Sequence, residues 1–125
     1  MCNILLSINP EYVEQILNGT KTYEYRKNVC KRKVDKIVIY STYPVKKVVG
    51  EVEVLDIIQM EKEELWNMRK DKSGITKNFF DKYYETKDKA VAYKLGRVIR
   101  YEEPKLLDSI GIKVAPQSYI YLRNN

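Results

Sequence analysis

The stretch that decides the fold is NILLSINPEYVEQILNGTKTYEYRK, residues 3 to 27. Its first six residues form an apolar run typical of a short strand, and Asn9 and Pro10 then supply a helix N-cap and a proline at the first helical position. Apolar residues recur at helical spacing as far as Leu17, and Gly19 is suited to end the helix in a left-handed conformation. The residues after Gly19 alternate as in a strand. The stretch therefore predicts a strand, a helix and a second strand in succession.

The second strand of this stretch carries three charged side chains, and the side of the strand that each one occupies determines whether all three can contact one ligand. In a regular strand Glu24 and Arg26 share one face and Lys21 lies on the other. A ligand contacted by all three requires either a bulge or a Lys21 that lies in the preceding turn. A partly buried lysine near other cations can lose its proton and act as a base. For Glu24 and Arg26 two interpretations stay open: an ion pair that stabilises the fold, or a site in which Arg26 grips phosphate or a base edge.

The rest of the chain predicts more strands and one helical interruption. Strand patterns cover KVDKIVIYSTYP, VKKVVGEVEVLDII with a bulge at Gly50, KAVAYKLGRVIRYEE, and the closing SYIYL. Between about 61 and 88 the spacing becomes helical, which predicts two helices around a turn at Ser73-Gly74. We expect one α+β domain over residues 1–125, with a curved, largely antiparallel sheet that forms a small barrel, an early helix and a helical insertion. The aromatic residues of the insertion are interpreted as packing: Trp66, Phe79, Phe80, Tyr83 and Tyr84.

Charge is concentrated in one part of the chain. Residues 21 to 47 hold nine lysines and arginines against two acidic residues, a net charge of +7, whereas the whole chain carries +6. A basic block of this kind indicates an anionic partner such as nucleic acid. Tyrosines that stack on bases are interleaved with it, although a solvated basic loop is the alternative. These tyrosines are Tyr23, Tyr25, Tyr40 and Tyr43.

Several function classes are excluded by what the chain lacks. It has no histidine, which removes Ser-His-Asp and Cys-His catalysis and histidine-containing zinc sites. Its two cysteines are too few for an all-cysteine zinc site, and its five glycines fit neither of the common phosphate-binding loops. The N-terminus has no signal-peptide core or membrane span. We therefore expect a cytoplasmic protein with reduced Cys2 and Cys30, no metal, no cofactor and no membrane partner.

The segment ILLSINPEYVEQILNGTKTYEYRK resembles the N-terminal half of ASCH domains, whose hallmark is a strand, a helix and then G-x-K-x-x-E-x-R. Four residues match that hallmark: Gly19, Lys21, Glu24 and Arg26. The downstream IYSTYPVKKVVGEVEVLDI is similar to the family's next block, and APQSYIYL resembles the Pro-Gln-Ser-aromatic ending of one branch. The resemblance implies a PUA-like β-barrel with a cleft beside the first helix, in a superfamily associated with RNA binding.

Some small bacterial members of this family resemble amidohydrolases of acylated cytidines, with a catalytic lysine and a threonine three residues later. Lys21 matches the lysine, but Glu24 stands where the threonine is expected. This difference favours a binding module for RNA, a nucleotide or a nucleoside. The predicted ligand-binding residues lie on three segments: Lys21, Tyr23, Glu24, Tyr25 and Arg26; Ser41, Tyr43 and Lys46; and Gln117, Ser118 and Tyr119.

Two other functions remain open from the sequence. The first is a small hydrolase that acts on a modified nucleoside or on RNA phosphodiesters, with Lys21 as base or nucleophile and Glu24 as a proton shuttle or metal-binding carboxylate. The second is a regulatory or interaction domain that contacts a protein through exposed aromatic residues between 79 and 84. Assays of the wild type and Lys21→Ala on acetylated cytidine and on RNA would distinguish the hydrolase from the binding module, and an exposed apolar patch at these aromatic residues would favour the interaction domain.

Overall fold

The computed structural model describes residues 2–26, 33–69, 76–85 and 89–122. The strands and helices follow one another in the order that the sequence predicts, with the two helices of the insertion between the fourth and fifth strands. The elements are β1 (Asn3–Ile8), α1 (Pro10–Leu17), β2 (Tyr23–Arg26), β3 (Lys36–Ser41), β4 (Lys47–Glu61), α2 (Lys62–Arg69), α3 (Lys77–Tyr83), β5 (Lys89–Lys105), a 3-10 helix (Leu107–Ile110) and β6 (Tyr119–Leu122).

The strands form one mixed sheet of six strands in the order β2-β5-β4-β3-β1-β6. β1 and β3 are parallel neighbours, and every other pair is antiparallel. The register shifts at the predicted Gly50 bulge, where a Cβ atom would lie 2.6 Å from the carbonyl oxygen of Ile99. The α+β class and the largely antiparallel sheet are therefore confirmed. That residues 1–125 form a single domain stays a prediction.

The long strands and the early helix enclose the main core. Helix α1 turns Val13 and Ile16 towards the apolar residues of β1, β3, β4 and β5. Asn9 caps this helix, since its side-chain oxygen accepts a hydrogen bond from the backbone nitrogen of Glu11. A second cluster is largely aromatic and packs the insertion against β2 and β5. The first helix is thus held firmly beside the end of β1, which is where the candidate site lies.

The sheet curves enough to bring β2 close to β1, four strands away in the sheet order. The guanidinium nitrogen Nη2 of Arg26, at the end of β2, donates a hydrogen bond to the carbonyl oxygen of Ser7 in β1 at 3.1 Å. Strand pairing does not close here: in the described part of the chain, β2 and β6 are the two edges of the sheet. A side chain bridges the gap instead, and the closed barrel stays a prediction.

The insertion lies within the predicted limits. Thr76 caps α3 by accepting a hydrogen bond from the backbone nitrogen of Phe79 at 3.2 Å. The Nζ atom of Lys77 in α3 forms an ion pair with Oε2 of Glu63 in α2 at 2.9 Å, which links the two helices. The predicted turn at Ser73-Gly74 and the cysteine Cys30 lie outside the described residues. None of the helices in the described part of the chain is long and apolar enough to span a membrane.

Candidate functional site

Lys21 lies in the turn between α1 and β2, and this turn supplies the irregularity that the sequence required. Gly19 has a left-handed backbone with φ of 86°, and the backbone nitrogen of Lys21 donates to the carbonyl oxygen of Gln15 at 2.9 Å. β2 starts only at Tyr23. The Lys21 side chain can therefore turn to the face of Glu24, and its Nζ atom lies 3.7 Å from Glu24 Oε1.

The carboxylate of Glu24 is shared between two cations. Its Oε1 atom faces Lys21, whereas Oε2 accepts hydrogen bonds from Nε and Nη2 of Arg26 at 3.1 and 2.8 Å. The Glu24 side chain is only 9% exposed and that of Arg26 16% exposed. Burial lowers the pKa of Arg26, but the neighbouring Glu24 and Tyr83 reverse this effect and its pKa is raised. Both interpretations of the pair are compatible with this geometry, because the ion pair also faces a pocket.

Lys21 is an unusually buried lysine, with 3% of its surface exposed. Burial lowers its pKa, which the carboxylate of Glu24 partly offsets. Two aromatic rings also contact its ammonium group: Nζ lies 5.5 Å from the ring centroids of both Tyr12 and Tyr25. The lysine is therefore fixed in position, and its proton is easier to remove than that of a solvated lysine.

A pocket of about 200 Å³ opens directly over these charged groups. It combines a charged floor with aromatic walls, which is the arrangement expected for a planar ligand. The first helix supplies Tyr12, and α3 supplies Phe79 and Tyr83 on the opposite side. The full lining is Ser7, Ile8, Asn9, Tyr12, Lys21, Glu24, Tyr25, Arg26, Phe79 and Tyr83.

Phe79 and Tyr83 correct the interpretation of the insertion as packing alone. Phe80 and Tyr84 are fully buried, as expected, but Phe79 is 48% exposed, and its ring makes an edge-to-face contact with that of Tyr12 with 5.9 Å between the ring centroids. The rings of Phe79 and Tyr83 lie within 13° of parallel. The four aromatic residues at 79, 80, 83 and 84 occupy two adjacent faces of a helix, and one core can cover only one of them. This spacing was the signal that could have identified the pocket wall.

Tyr84 fixes the insertion to the strand that bears the site. Its hydroxyl group hydrogen-bonds the carbonyl oxygens of Arg26 at 2.7 Å and of Val91 at 3.1 Å. Burial raises its pKa far above the ordinary value of a tyrosine. The wall and the floor of the pocket are thus joined through one phenol.

The other predicted binding residues do not line this pocket. Tyr23 is buried in the aromatic cluster that joins β2 to the insertion. Ser41 is 2% exposed and lines a separate cavity with Pro10, Val45 and Arg100, because β3 ends one strand beyond β1. Tyr43 and Lys46 lie in the exposed turn that follows Ser41. Ligand contacts by these residues stay predictions.

The predicted C-terminal segment lies beside the pocket without entering it. The Ser7 hydroxyl donates a hydrogen bond to the carbonyl oxygen of Pro116 at 2.7 Å, which places the next residues at the end of β1. Gln117 and Ser118 are exposed there, while Tyr119 pairs with Leu6 and packs on Tyr121. The three predicted segments therefore meet at one end of the sheet, but only the first contributes to the pocket.

The fold places the residues of the basic block in several different environments. Lys21 and Arg26 are in the site, Lys36 pairs with Glu51 at 2.9 Å, and the exposed lysines include Lys46 and Lys47. Residues 27, 31 and 32 of the block lie outside the described part. Within the described ranges no group of three or more acidic or cysteine side chains is placed to bind a metal ion.

Comparison with known proteins identifies the family. The ASCH domain model matches residues 6–104, which include the pocket floor and both of its walls. The chain belongs to the ASCH domain family. The resemblance drawn from Gly19, Lys21, Glu24 and Arg26 is thereby confirmed.

Two relatives from Zymomonas mobilis agree with this assignment. The crystal structure of ASCH from Zymomonas mobilis is 28% identical, with a TM-score of 0.89 over 97% of this chain and 87% of that one. A Zymomonas mobilis protein named ASCH domain-containing ribonuclease is 30% identical over 92 residues, which cover 73% of this chain and 62% of that protein. A protein of Ureaplasma parvum named ATP synthase subunit alpha is 31% identical over 121 residues, but this chain spans only 15% of its length.

Proposed function

We propose that this ASCH protein binds single-stranded RNA and takes one nucleotide into the pocket above Lys21, Glu24 and Arg26. The observation that carries the proposal is a buried array of two cations and one carboxylate at the bottom of an aromatic-walled pocket. The array has a net charge of +1 when Lys21 is protonated, which suits an anionic ligand. A name that refers to ribonuclease activity in a relative supports the choice of RNA.

The aromatic walls of the pocket stack on the base, and the charged floor makes the polar contacts to the ligand. A nucleobase stacks on aromatic side chains whatever its sequence, and Tyr12, Phe79 and Tyr83 offer such surfaces. Arg26 donates to a phosphate or to a base edge, and Glu24 both orients Arg26 and accepts a hydrogen bond from an exocyclic amine. At about 200 Å³ the pocket is smaller than the ~300–1,000 Å³ typical of drug-sized ligand sites, so it suits one nucleotide rather than several.

Two finer features belong to the same proposal. The sheet is a PUA-like barrel whose seam lies between β2 and β1, where Arg26 bridges to Ser7. Tyr23 lies in the aromatic cluster behind the pocket and supports Tyr25 and the floor from there.

A titration of the protein with the four nucleoside monophosphates and with a hexanucleotide RNA tests the proposal. We expect binding that weakens as salt rises, since neutralised phosphates release counterions. Lys21→Met and Phe79→Ala should each weaken binding of the monophosphates, whereas Lys94→Met, on an exposed strand position outside the pocket, should not. Absence of binding to every monophosphate and to the hexanucleotide at low salt would refute the proposal.

A second candidate function is hydrolysis of RNA, favoured by the lowered pKa of Lys21. Neutral Lys21 would take the proton of a 2′-hydroxyl group, whose oxygen attacks the adjacent phosphorus. The bond to the 5′-oxygen breaks, Lys21 returns the proton to that oxygen, and a 2′,3′-cyclic phosphate forms. Arg26 would stabilise the charge that develops on the phosphoryl oxygens.

Cleavage assays separate this reaction from binding. RNA should be cut by the wild type but not by Lys21→Ala, and a single 2′-deoxynucleotide at the cleavage position should block the cut. The same variants on an acetylated cytidine, with and without Mg²⁺, distinguish amide hydrolysis and metal-dependent nuclease chemistry. If the wild type binds RNA and turns over none of these substrates, the enzymatic function is excluded.

A further inference from the structure

We infer that a second RNA contact lies beside the pocket, on an exposed surface formed by Tyr43, Lys46 and Lys47, which we call the lysine rim. This inference rests on the proposed function: the pocket takes one nucleotide, and the rim holds the neighbouring part of the same strand. Lys46 and Lys47 contact phosphates, and the ring of Tyr43 stacks on a base.

The position of the rim follows from the strand pairing. Ile8, which lines the pocket, pairs with Ser41 in the adjacent parallel strand, and Ser41 pairs with Lys47 in the next one. The backbone nitrogen of Thr42 donates to the carbonyl oxygen of Ile8 at 3.1 Å, so the turn begins at the edge of the pocket. Two strand spacings amount to about 10 Å. A strand of RNA that leaves the pocket therefore needs to span only this distance, past the end of β3, to reach the rim.

The rim turn holds its groups in a defined arrangement. Tyr43 is 77% exposed, and the Nζ atom of Lys46 lies 5.6 Å from its ring centroid. Lys46 has a φ of 53°, a left-handed conformation that a residue with a Cβ atom adopts at a cost. Strained backbone of this kind is concentrated at ligand sites. The turn thus presents an ammonium group over an exposed ring, which combines a phosphate contact with a stacking surface.

The charge of the rim is available to a partner. In the described part of the chain, neither Lys46 nor Lys47 forms an ion pair, in contrast to Lys36, which pairs with Glu51. Two acidic side chains, Glu14 and Glu102, line the neighbouring cavity, and Glu14 is bonded to Arg100 at 3.2 Å. An acidic protein surface would use the lysines but has no need of an exposed tyrosine beside Lys46. A stacking ring next to unpaired lysines, continuous with the pocket, favours RNA.

The test compares one nucleotide with a longer strand. Wild type and the double variant Lys46→Glu/Lys47→Glu are titrated with nucleoside monophosphates and with a hexanucleotide RNA at several salt concentrations. The matched control is Lys94→Glu/Arg97→Glu, which makes the same change in net charge on exposed positions of β5. Tyr43→Ala and Tyr43→Phe test stacking separately from charge.

We expect the rim variant to bind the hexanucleotide at least about tenfold more weakly. The slope of log K against log salt concentration should be smaller in magnitude by about 1.4, because two phosphate contacts are lost. Its binding of monophosphates should equal that of the wild type, because the rim does not line the pocket. The affinity for the hexanucleotide should fall about fivefold or more in Tyr43→Ala and only slightly in Tyr43→Phe.

Three results would overturn the inference. The first is an equal loss of hexanucleotide binding in the control variant and the rim variant, which would assign the effect to net charge. The second is a wild type that binds the hexanucleotide no more tightly than a monophosphate, and the third is a rim variant that binds it as well as the wild type does. If monophosphates fail to bind while the hexanucleotide binds through the rim, the pocket proposal fails and the rim stands. If neither ligand binds, both fail.

Discussion

Arg26 directs two guanidinium nitrogens at a single oxygen of Glu24, 3.1 Å from Nε and 2.8 Å from Nη2. The second carboxylate oxygen remains directed at Lys21. One buried anion therefore holds two cations in place, and its removal takes this shared counter-charge away from both.

Glu24→Gln should destabilise the fold substantially, because it keeps the shape of the side chain but leaves two buried cations uncompensated. We expect a loss of about 3 kcal/mol in the free energy of unfolding, measured by urea denaturation. The matched control is Glu14→Gln, which removes the carboxylate from the exposed pair with Arg100 and should have a much smaller effect. Equal losses in the two variants would show that the Glu24 carboxylate is effectively solvated.

Lys21 should make stability depend on pH in the alkaline range. Its pKa in the folded state is lowered from the ordinary value of 10.5 by burial. Between the lowered pKa and 10.5 the unfolded chain binds more protons than the folded one, so this group's contribution to stability increases as pH rises and is lost as pH falls. The difference in unfolding free energy between wild type and Lys21→Met should therefore grow in favour of the wild type as pH rises from the lowered pKa towards 10.5.

The comparison with Lys21→Met is necessary because other groups titrate in the opposite sense. Burial raises the pKa of Tyr12, so this tyrosine's contribution to stability declines as pH rises above about 10. The variant keeps Tyr12 and thus cancels its effect. Lys94→Met, on an exposed lysine, serves as the control for the exchange of side chains. A flat or falling difference for Lys21→Met would contradict the lowered pKa.

Phe79 and Phe80 are neighbours that should respond oppositely to truncation. Phe80 is fully buried in the aromatic cluster, and Phe80→Ala should lower the free energy of unfolding by about 3–5 kcal/mol. Phe79 is half exposed on the pocket wall, and Phe79→Ala should cost much less stability but weaken nucleotide binding about fivefold or more. Denaturation and titration of the two variants check this. A Phe79→Ala protein that binds nucleotides like the wild type would remove α3 from the site.

Tyr84→Phe should loosen the connection between the insertion and β2. The change removes only the hydroxyl group that bonds the carbonyl oxygens of Arg26 and Val91, and we expect a loss of about 1–2 kcal/mol. Amide hydrogen exchange should report faster opening of β2. Tyr43→Phe removes a hydroxyl group from a ring that is 77% exposed and should leave both measurements unchanged. Indistinguishable stabilities of the two variants would mean that the buried hydroxyl contributes nothing.

The sequence predicted the floor of the site because local rules determine it. Asn9, Pro10 and Gly19 set the ends of the first helix. A site shared by Lys21 and Glu24 required either a bulge or a lysine in the turn, and the structure has the lysine in the turn. The walls depend on long-range packing. The sequence of residues 77–83 predicts two aromatic faces, but it does not indicate that one of them contacts β2 and the other contacts Tyr12.

Whether the other predicted residues reach the pocket was harder to predict, because this also depends on long-range structure. The resemblance placed Ser41 and Gln117 in the same cleft as Lys21, and the fold does bring their segments to one end of the sheet. Which side chains then reach the pocket is decided by strand order and curvature. Ser41 is buried one strand away from β1, so it lines a different cavity. Closure of the barrel depends on the same curvature, which sequence periodicity does not report.

The pocket is encoded in two distant parts of the chain. Its charged floor comes from residues 21–26, where any change disturbs a buried ion pair, whereas its aromatic wall comes from α3, an insertion between β4 and β5. Phe79 and Tyr83 lie outside the strands of the sheet, on a helix that Phe80 fixes to the core. The preference for the proposed ligand can therefore evolve, or be engineered, by substitution on one face of a short helix while the charged floor beneath it is conserved.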